Sequence, residues 1–340
     1  MNSSNLALEL PKNQAAQRFF SFFQDIKARR FLKENLIYSI KEGVLLNHPA
    51  ALSREEIMRK AETIVSFIFH KIESLQNGHE TELFECLERL SIHSETYPTL
   101  WFQEAKEAFA IYGQNNKNRK TCELLSPHFI GDSLLDIGCC RGSFLNYLAE
   151  VCEMKLAGSD IANYLQGENQ FDFFLSDMSH KDERIEREFD CGLLIYVLHH
   201  IALGSGGVQN LLENARSMGI KRLLVLEDVM ITPQDQRSGI PGMERLSDLI
   251  LMQPQLERYI SLPLDSQYAF TSMMDIFSNC LFQGNSTIPY PFNFGTISHW
   301  HHLFEEAGWK VKEVRLLGFS KWKFSKVCGA LFVLDISELD

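Results

Sequence analysis

Two hydrophobic periods divide the chain. Up to about residue 120 the apolar positions recur at helical spacing, and beyond it short apolar runs alternate with amphipathic stretches. In the first region Phe19, Phe23, Ile26, Ala28, Phe31 and Leu32 predict one long helical segment. Ser53-Arg54-Glu55-Glu56 has the pattern of a capping box, in which the serine accepts from the third helical N–H and Glu56 reaches back. Behind it Ile57, Ala61, Ile64, Ile68, Ile72 and Leu75 form one apolar face, with Gly78 as a stop. Leu83, Leu87 and Leu90 predict a shorter helix, and Pro98 can open another that carries Trp101, Ala105, Ala108, Phe109 and Tyr112. Periodicity alone does not say whether these helices pack on themselves, cap the region that follows, or build a homodimer.

From 121 onward the alternation predicts strands at 133–137, 155–159, 172–176, 190–195 and 222–227, with helices at 143–152, 162–168 and 207–217. Two closing strands, 310–318 and 327–335, are separated by a turn around Ser320 to Ser325 and read as an antiparallel hairpin. The expected architecture is α/β: a Rossmann-like, doubly wound, seven-stranded sheet with a C-terminal antiparallel hairpin, preceded by an all-helical domain over 1–120. The second domain, 121–340, carries an insertion at 230–295. That insertion has two helix-like stretches, 243–260 and 266–281, followed by Tyr290-Pro291-Phe292-Asn293-Phe294, and its length suggests a lid or substrate pocket.

Charge and cysteine content narrow the functional classes. The 340 residues carry 33 Lys+Arg against 44 Asp+Glu, a net charge of −11, which argues against a nonspecific nucleic-acid binder. No apolar run is long enough to span a bilayer, and the first residues lack the basic region and apolar core of a secretory signal. Eight cysteines are scattered without a C-x-x-C pair, which reads as a reducing, cytoplasmic setting with no disulfide framework or structural zinc. Asn115-Asn116-Lys117-Asn118-Arg119-Lys120 reads as a solvated helix end or linker.

The chemistry concentrates at Leu134-Leu135-Asp136-Ile137-Gly138-Cys139-Cys140-Arg141-Gly142-Ser143-Phe144, a buried strand, a glycine-containing turn and a helix start. Such a unit presents backbone N–H groups at the strand's carboxyl end. Alone it is a ligand loop of modest specificity. It is followed in order by Gly158-Ser159-Asp160-Ile161, Ser176-Asp177-Met178, the stretch Phe189 to Ile201, Leu226-Glu227-Asp228 and Phe304 to Trp309. This ordered set resembles the class I S-adenosylmethionine-dependent methyltransferases over 121–335, outside the insertion.

The resemblance implies S-adenosyl-L-methionine as cofactor. It assigns Asp136, Gly138, Cys139, Cys140 and Gly142 to the cofactor loop and Asp160, followed by Ile161, to the ribose hydroxyls. Asp177, followed by Met178, would face the adenine amino group, and Ile195 and Tyr196 close the fourth strand. One departure stands out: the family loop usually has glycine where this chain has Cys140, a residue that disfavours positive φ and that the loop can accommodate if φ stays negative.

His199 and His200 lie where the acceptor should approach, and a histidine can deprotonate a hydroxyl or ammonium at neutral pH. Glu227 and Asp228 share that edge as candidate bases or orienting groups. For the histidines the alternative is a structural role, packed against the sheet edge or the turn, and for the two acids a cap on the next turn. His299, His301 and His302 read as a solvated or interface cluster rather than a metal site. Tyr290, Phe292, Phe294 and Trp300 would line an apolar acceptor pocket or pack in the core.

The leading expectation is methyl transfer to oxygen or nitrogen of a small, partly apolar molecule. A protein acceptor, or a catalytically silent binder of S-adenosylmethionine or S-adenosylhomocysteine, is the alternative. A nicotinamide-dependent oxidoreductase shares the early strand-turn-helix but requires G-x-G-x-x-G, which this loop lacks.

Overall fold

The computed structural model describes residues 3–47, 53–75, 82–90, 117–165, 167–202, 206–235, 239–282, 288–319 and 327–336. The predicted helix at 101–112 and the stop at Gly78 lie outside them. The chain divides into two compact units. One comprises Met1–Asn116, Arg258–Tyr290 and Ser320–Val327, and the other Lys117–Glu257, Pro291–Phe319 and Cys328–Asp340.

The first unit contains α1 (Ser3–Phe23), α2 (Ile26–Asn47), α3 (Arg54–Leu75) and α4 (Leu83–Arg89). The single long segment expected at its start is two helices, because the Asp25 side chain accepts from the Lys27 and Ala28 N–H groups at 2.9 and 3.0 Å and begins a new one. Ser53 Oγ accepts from Glu56 N at 3.2 Å, the serine half of the expected capping box. The same unit takes in part of the insertion. A helix over Leu264–Ile276 is buried from Ser266 to Ile276 apart from Tyr268, so it serves as a core helix with no solvent face. Phe31 meets Phe270 edge to face at 4.7 Å, and Ser266 Oγ donates to Asp25 at 2.7 Å. The insertion expected wholly within the second domain is therefore shared between the two units. Its first predicted helix, 243–260, is interrupted ahead of Pro254.

The second unit is built on one sheet. Its strands are β1 (Ser133–Ile137), β2 (Lys155–Asp160), β3 (Asp172–Leu175), β4 (Cys191–Ile195), β5 (Arg222–Met230), the two-residue β6 (Gly295–Thr296), β7 (Trp309–Phe319) and β8 (Cys328–Ile336). The order is β3-β2-β1-β4-β5-β8-β7, with β6 alongside the end of β5. The first five strands are parallel, and β8 pairs antiparallel with both β5 and β7, as the expected hairpin requires. The short β6 makes the sheet eight-stranded rather than seven-stranded.

Within this unit the helix α5 (residues 117–125) precedes β1, α6 (Ser143–Val151) follows it, and α7 (Gly207–Ser217) lies between β4 and β5. No helix is present over the described residues of 162–168. There Asn163 Oδ1 accepts from Leu165 N at 3.1 Å, a local turn that competes with helix formation. The Leu-rich strands β1, β4 and β5 are buried almost throughout, as expected for parallel strands covered on both faces. Their carboxyl ends therefore converge on one edge, where a ligand crevice forms in such sheets.

Candidate functional site

At the end of β1 the chain turns through Gly138 at φ +79°. A Cβ there would lie 2.6 Å from the Val197 side chain, so the loop needs glycine to pass the end of β4. The loop's N–H groups are largely consumed within the protein. Gly138 N and Cys139 N donate to Ser159 O at 2.7 and 3.0 Å, and Gly142 N donates to Cys139 O at 2.9 Å. Cys140 N donates to Asp160 Oδ2 at 2.8 Å.

Cys140 itself adopts φ +51°, so the loop keeps the left-handed conformation despite the side chain, contrary to the expectation of negative φ. The hydrogen bond to Asp160 offsets part of that strain. Burial raises the Cys140 thiol pKa, and Asp160 raises it further.

Two carboxyl groups face one another beside the loop. Asp136 is 4% exposed, and its Oδ1 has no hydrogen-bond partner among the described residues. Burial, with the nearby Asp160 adding, pushes its pKa up to about 8. Asp160 is also raised by burial, although the N–H groups of Cys140, Ile161 and Ala162 pull it back. Its Oδ1 accepts from Ile161 N at 2.8 Å. Ile161 is an exposed apolar residue directly beyond it.

At the end of β3, Asp177 is half-buried and committed to its own turn. It accepts from Ser179 N at 3.1 Å and Ser179 Oγ at 2.6 Å, and pairs with His180 at 3.1 Å. Met178 is buried, with Ser159 Oγ 3.8 Å from its sulfur.

The end of β4 and the Glu227-Asp228 pair of β5 form a second cluster, and β5, expected to close at 227, runs on to Met230. Tyr196 follows β4 at φ +59°, and its N–H donates to Leu226 O at 2.7 Å while Ile195 is half-buried behind it. Burial holds the Tyr196 phenol well above its ordinary pKa, with Asp228 and Glu227 adding to the effect. Leu198–His200 then make a 3₁₀ turn. Glu227, fully buried, accepts from Leu198 N at 3.0 Å and His199 N at 3.4 Å through Oε2. Its Oε1 accepts from Asp228 N at 2.7 Å and lies 2.6 Å from His199 Nδ1. Asp228 is buried beside it. His199 is buried, and the half-buried His200 ring lies 4.0 Å from it.

Three contributors were not evident in the sequence. Lys117, read there as solvated, is exposed but close enough to Cys140 and Asp228 for both to act on its ammonium. Desolvation lowers its pKa, against the pull of those two neighbours. Asn118 holds that end of α5 to the loop exit through a 3.0 Å bond from Nδ2 to Ser143 O. Asn293, from the aromatic segment, bonds the 198–201 turn; its only signal in the sequence is one polar residue between two phenylalanines.

The remaining candidates disperse. In the helix Ile297–Glu306, His301 pairs with Glu305 and His302 with Glu306, each one helical turn on. Trp300 is buried against Phe304. Phe294 stacks on a candidate residue, the His199 ring.

Five parallel strands in the order 3-2-1-4-5, closed by an antiparallel hairpin whose last strand lies next to β5, decide the fold. This is the strand order that the resemblance to the class I S-adenosylmethionine-dependent methyltransferases leads one to expect. No protein-family model and no curated protein matches the chain. Solved structures similar to this chain include the pyocyanin biosynthetic protein PhzM, at 15% identity and TM-score 0.44, covering 84% of this chain and 72% of that one. Methyltransferase CalO6 is similar at 13% identity and TM-score 0.41, covering 92% and 98%. Magnesium protoporphyrin IX methyltransferase from Synechocystis PCC 6803 follows at 12% identity and TM-score 0.38, covering 72% and 91%.

Proposed function

We propose that the chain is an S-adenosylmethionine-dependent methyltransferase acting on a hydroxyl or amine of a small, partly apolar molecule. The observation that carries this reading is how the glycine loop uses its hydrogen bonds. With the N–H groups of Gly138, Cys139, Cys140 and Gly142 directed to Ser159, Asp160 and Cys139, the loop has little to offer a phosphate. Two buried acids beside it suit a cationic nucleoside instead. A dinucleotide would place its pyrophosphate where these N–H groups are already engaged.

The residues divide the cofactor between them. Asp136 has an unmet oxygen for the α-ammonium group, and a bound cation would draw its carboxyl into the ionised form. Asp160 accepts from the N–H groups of Cys140, Ile161 and Ala162 and retains a lone pair for the ribose hydroxyls. Asp177 is the acceptor toward the adenine amino group, with Ile161 and Met178 as its apolar flanks. Lys117 supplies positive charge for the carboxylate. When bound, S-adenosylmethionine supplies an activated methyl group for in-line displacement, so the protein's task is chiefly positioning.

On the acceptor side, Glu227 holds His199 with Nδ1–H donated, which makes Nε2 the nitrogen that takes up a proton. Asp228 and His200 border the same edge.

Calorimetry with S-adenosylhomocysteine and with nicotinamide dinucleotides tests the cofactor, and methyl release on a panel of phenols, amines and proteins tests the reaction. Binding of S-adenosylhomocysteine alone, with transfer to a small phenol or amine, is expected. Selective binding of the dinucleotides overturns the reading. Tight S-adenosylhomocysteine binding without transfer indicates a catalytically silent binder, the alternative that Cys140 in the loop favours.

A further inference from the structure

His199 is gripped from two directions. Glu227, on the sheet, takes its backbone N–H and its Nδ1. The segment returning from the insertion takes the opposite side of the same turn. Asn293 N donates to His199 O at 3.2 Å, and Asn293 Nδ2 donates to Leu198 O at 3.4 Å and to Ile201 O at 3.0 Å. Phe294 stacks on the imidazole with centroids 4.8 Å apart and planes 20° from parallel.

Asn293 is 1% exposed. Two carbonyl acceptors fix the orientation of its amide, since only the nitrogen end can donate to them. The other end, Oδ1, is buried without a hydrogen-bond partner among the described residues. An unmet buried acceptor costs free energy that an apolar side chain would avoid. The amide's contribution therefore lies in its two N–H bonds to the turn.

We propose that Asn293 is a positioning residue for His199. By bridging the carbonyls of Leu198 and Ile201 it locks the 3₁₀ turn, so that the imidazole keeps Nδ1 on Glu227 and Nε2 in one place. The catalytic consequence rests on the reading of His199 as the proton acceptor in methyl transfer; the structural consequence does not. The insertion thereby completes the histidine's support from a part of the chain remote in sequence.

The test uses the full-length protein. The His199 Nδ1–H proton, in a 2.6 Å bond to a carboxylate, is expected as a far-downfield NMR resonance, assigned by its loss in His199→Gln. In Asn293→Ala this resonance is expected to shift or broaden while S-adenosylhomocysteine affinity stays unchanged. With an acceptor in hand, kcat is expected to fall about tenfold at unchanged KM.

Asn293→Ser, which keeps one donor, is expected to restore part of both. Asn293→Asp, equal in shape but carrying no donor when ionised, is expected to behave like the alanine variant. If Asp fails to fold, the Ala and Ser pair still decides. An unmoved resonance in Asn293→Ala overturns the proposal, even if kcat falls. Absence of S-adenosylhomocysteine binding in the wild type overturns the methyltransferase reading instead and leaves the NMR comparison intact.

Discussion

Asp136 and Glu227 lie on strands of the same sheet, are both buried, and are treated in opposite ways. Glu227 receives four donors: the N–H groups of Leu198, His199 and Asp228, and His199 Nδ1. Asp136 keeps an oxygen unmet, faces the acid of Asp160, and has its pKa pushed up to about 8 by burial. A satisfied buried carboxylate is a structural fixture, because its lone pairs are already used. An unsatisfied one is a debt that a ligand can settle. The β4–β5 side of the edge thus holds a side chain in place, and the β1–β2 side is where the proposed function puts the cofactor's cation.

Removing the satisfied carboxylate tests that contrast most severely. Glu227→Ala leaves three backbone N–H groups and the His199 ring nitrogen without their acceptor, and is expected to cost about 3 kcal/mol or more of stability in urea denaturation. A loss under about 1 kcal/mol would mean that the turn is held elsewhere.

On the receiving side, Asp160→Ala is expected to weaken S-adenosylhomocysteine binding at least about tenfold, through lost charge-assisted hydrogen bonds. Unchanged affinity in calorimetry removes Asp160 from the cofactor site.

Asp136 gives a pH signature. Its folded pKa of about 8 lies above the ordinary 3.8, so the folded state binds the proton more tightly and pays for ionisation as pH rises between those values. Asp136→Asn removes that cost. The variant's stability relative to wild type is expected to rise between about pH 5 and pH 8, by about 1 kcal/mol or more. A difference that does not vary with pH would show that Asp136 is not held protonated. The same substitution is expected to weaken cofactor binding.

The smallest effect belongs to Cys140→Gly. Relief of the residue at φ +51° is expected to add about 0.5–1 kcal/mol, net of glycine's larger unfolded-state entropy. Cofactor affinity is expected to hold or improve. A clear loss of binding would show that the thiol itself is needed.

Much of this contrast was legible in the residues. Asp136, Gly138, Asp160 and Asp177 could be placed because each stands at the end of a short apolar run, where strand period and turn chemistry agree. Glu227 and His199 were located by the same logic, but their partnership was not. They are 28 positions apart, and no local pattern reports a bond across two strands. The turn at Asn163 was missed because an Asx bond can defeat helix formation in an otherwise permissive segment. Lys117 was read as solvated because its neighbours are polar, whereas its nearness to Cys140 and Asp228 arises from residues 23 and 111 positions away.

By itself the sequence determined the alternation of strands and helices, the closing hairpin and the ordered acids at the strand ends, since these follow from periodicity and turn preference within a few residues. Only the tertiary structure decided that Glu227 is satisfied and that Asp136 keeps an unmet oxygen. It also gave Cys140 its left-handed backbone and brought Asn293 to the far side of the histidine turn. Those outcomes depend on contacts between segments far apart in the chain, where burial and the count of available donors set the chemistry.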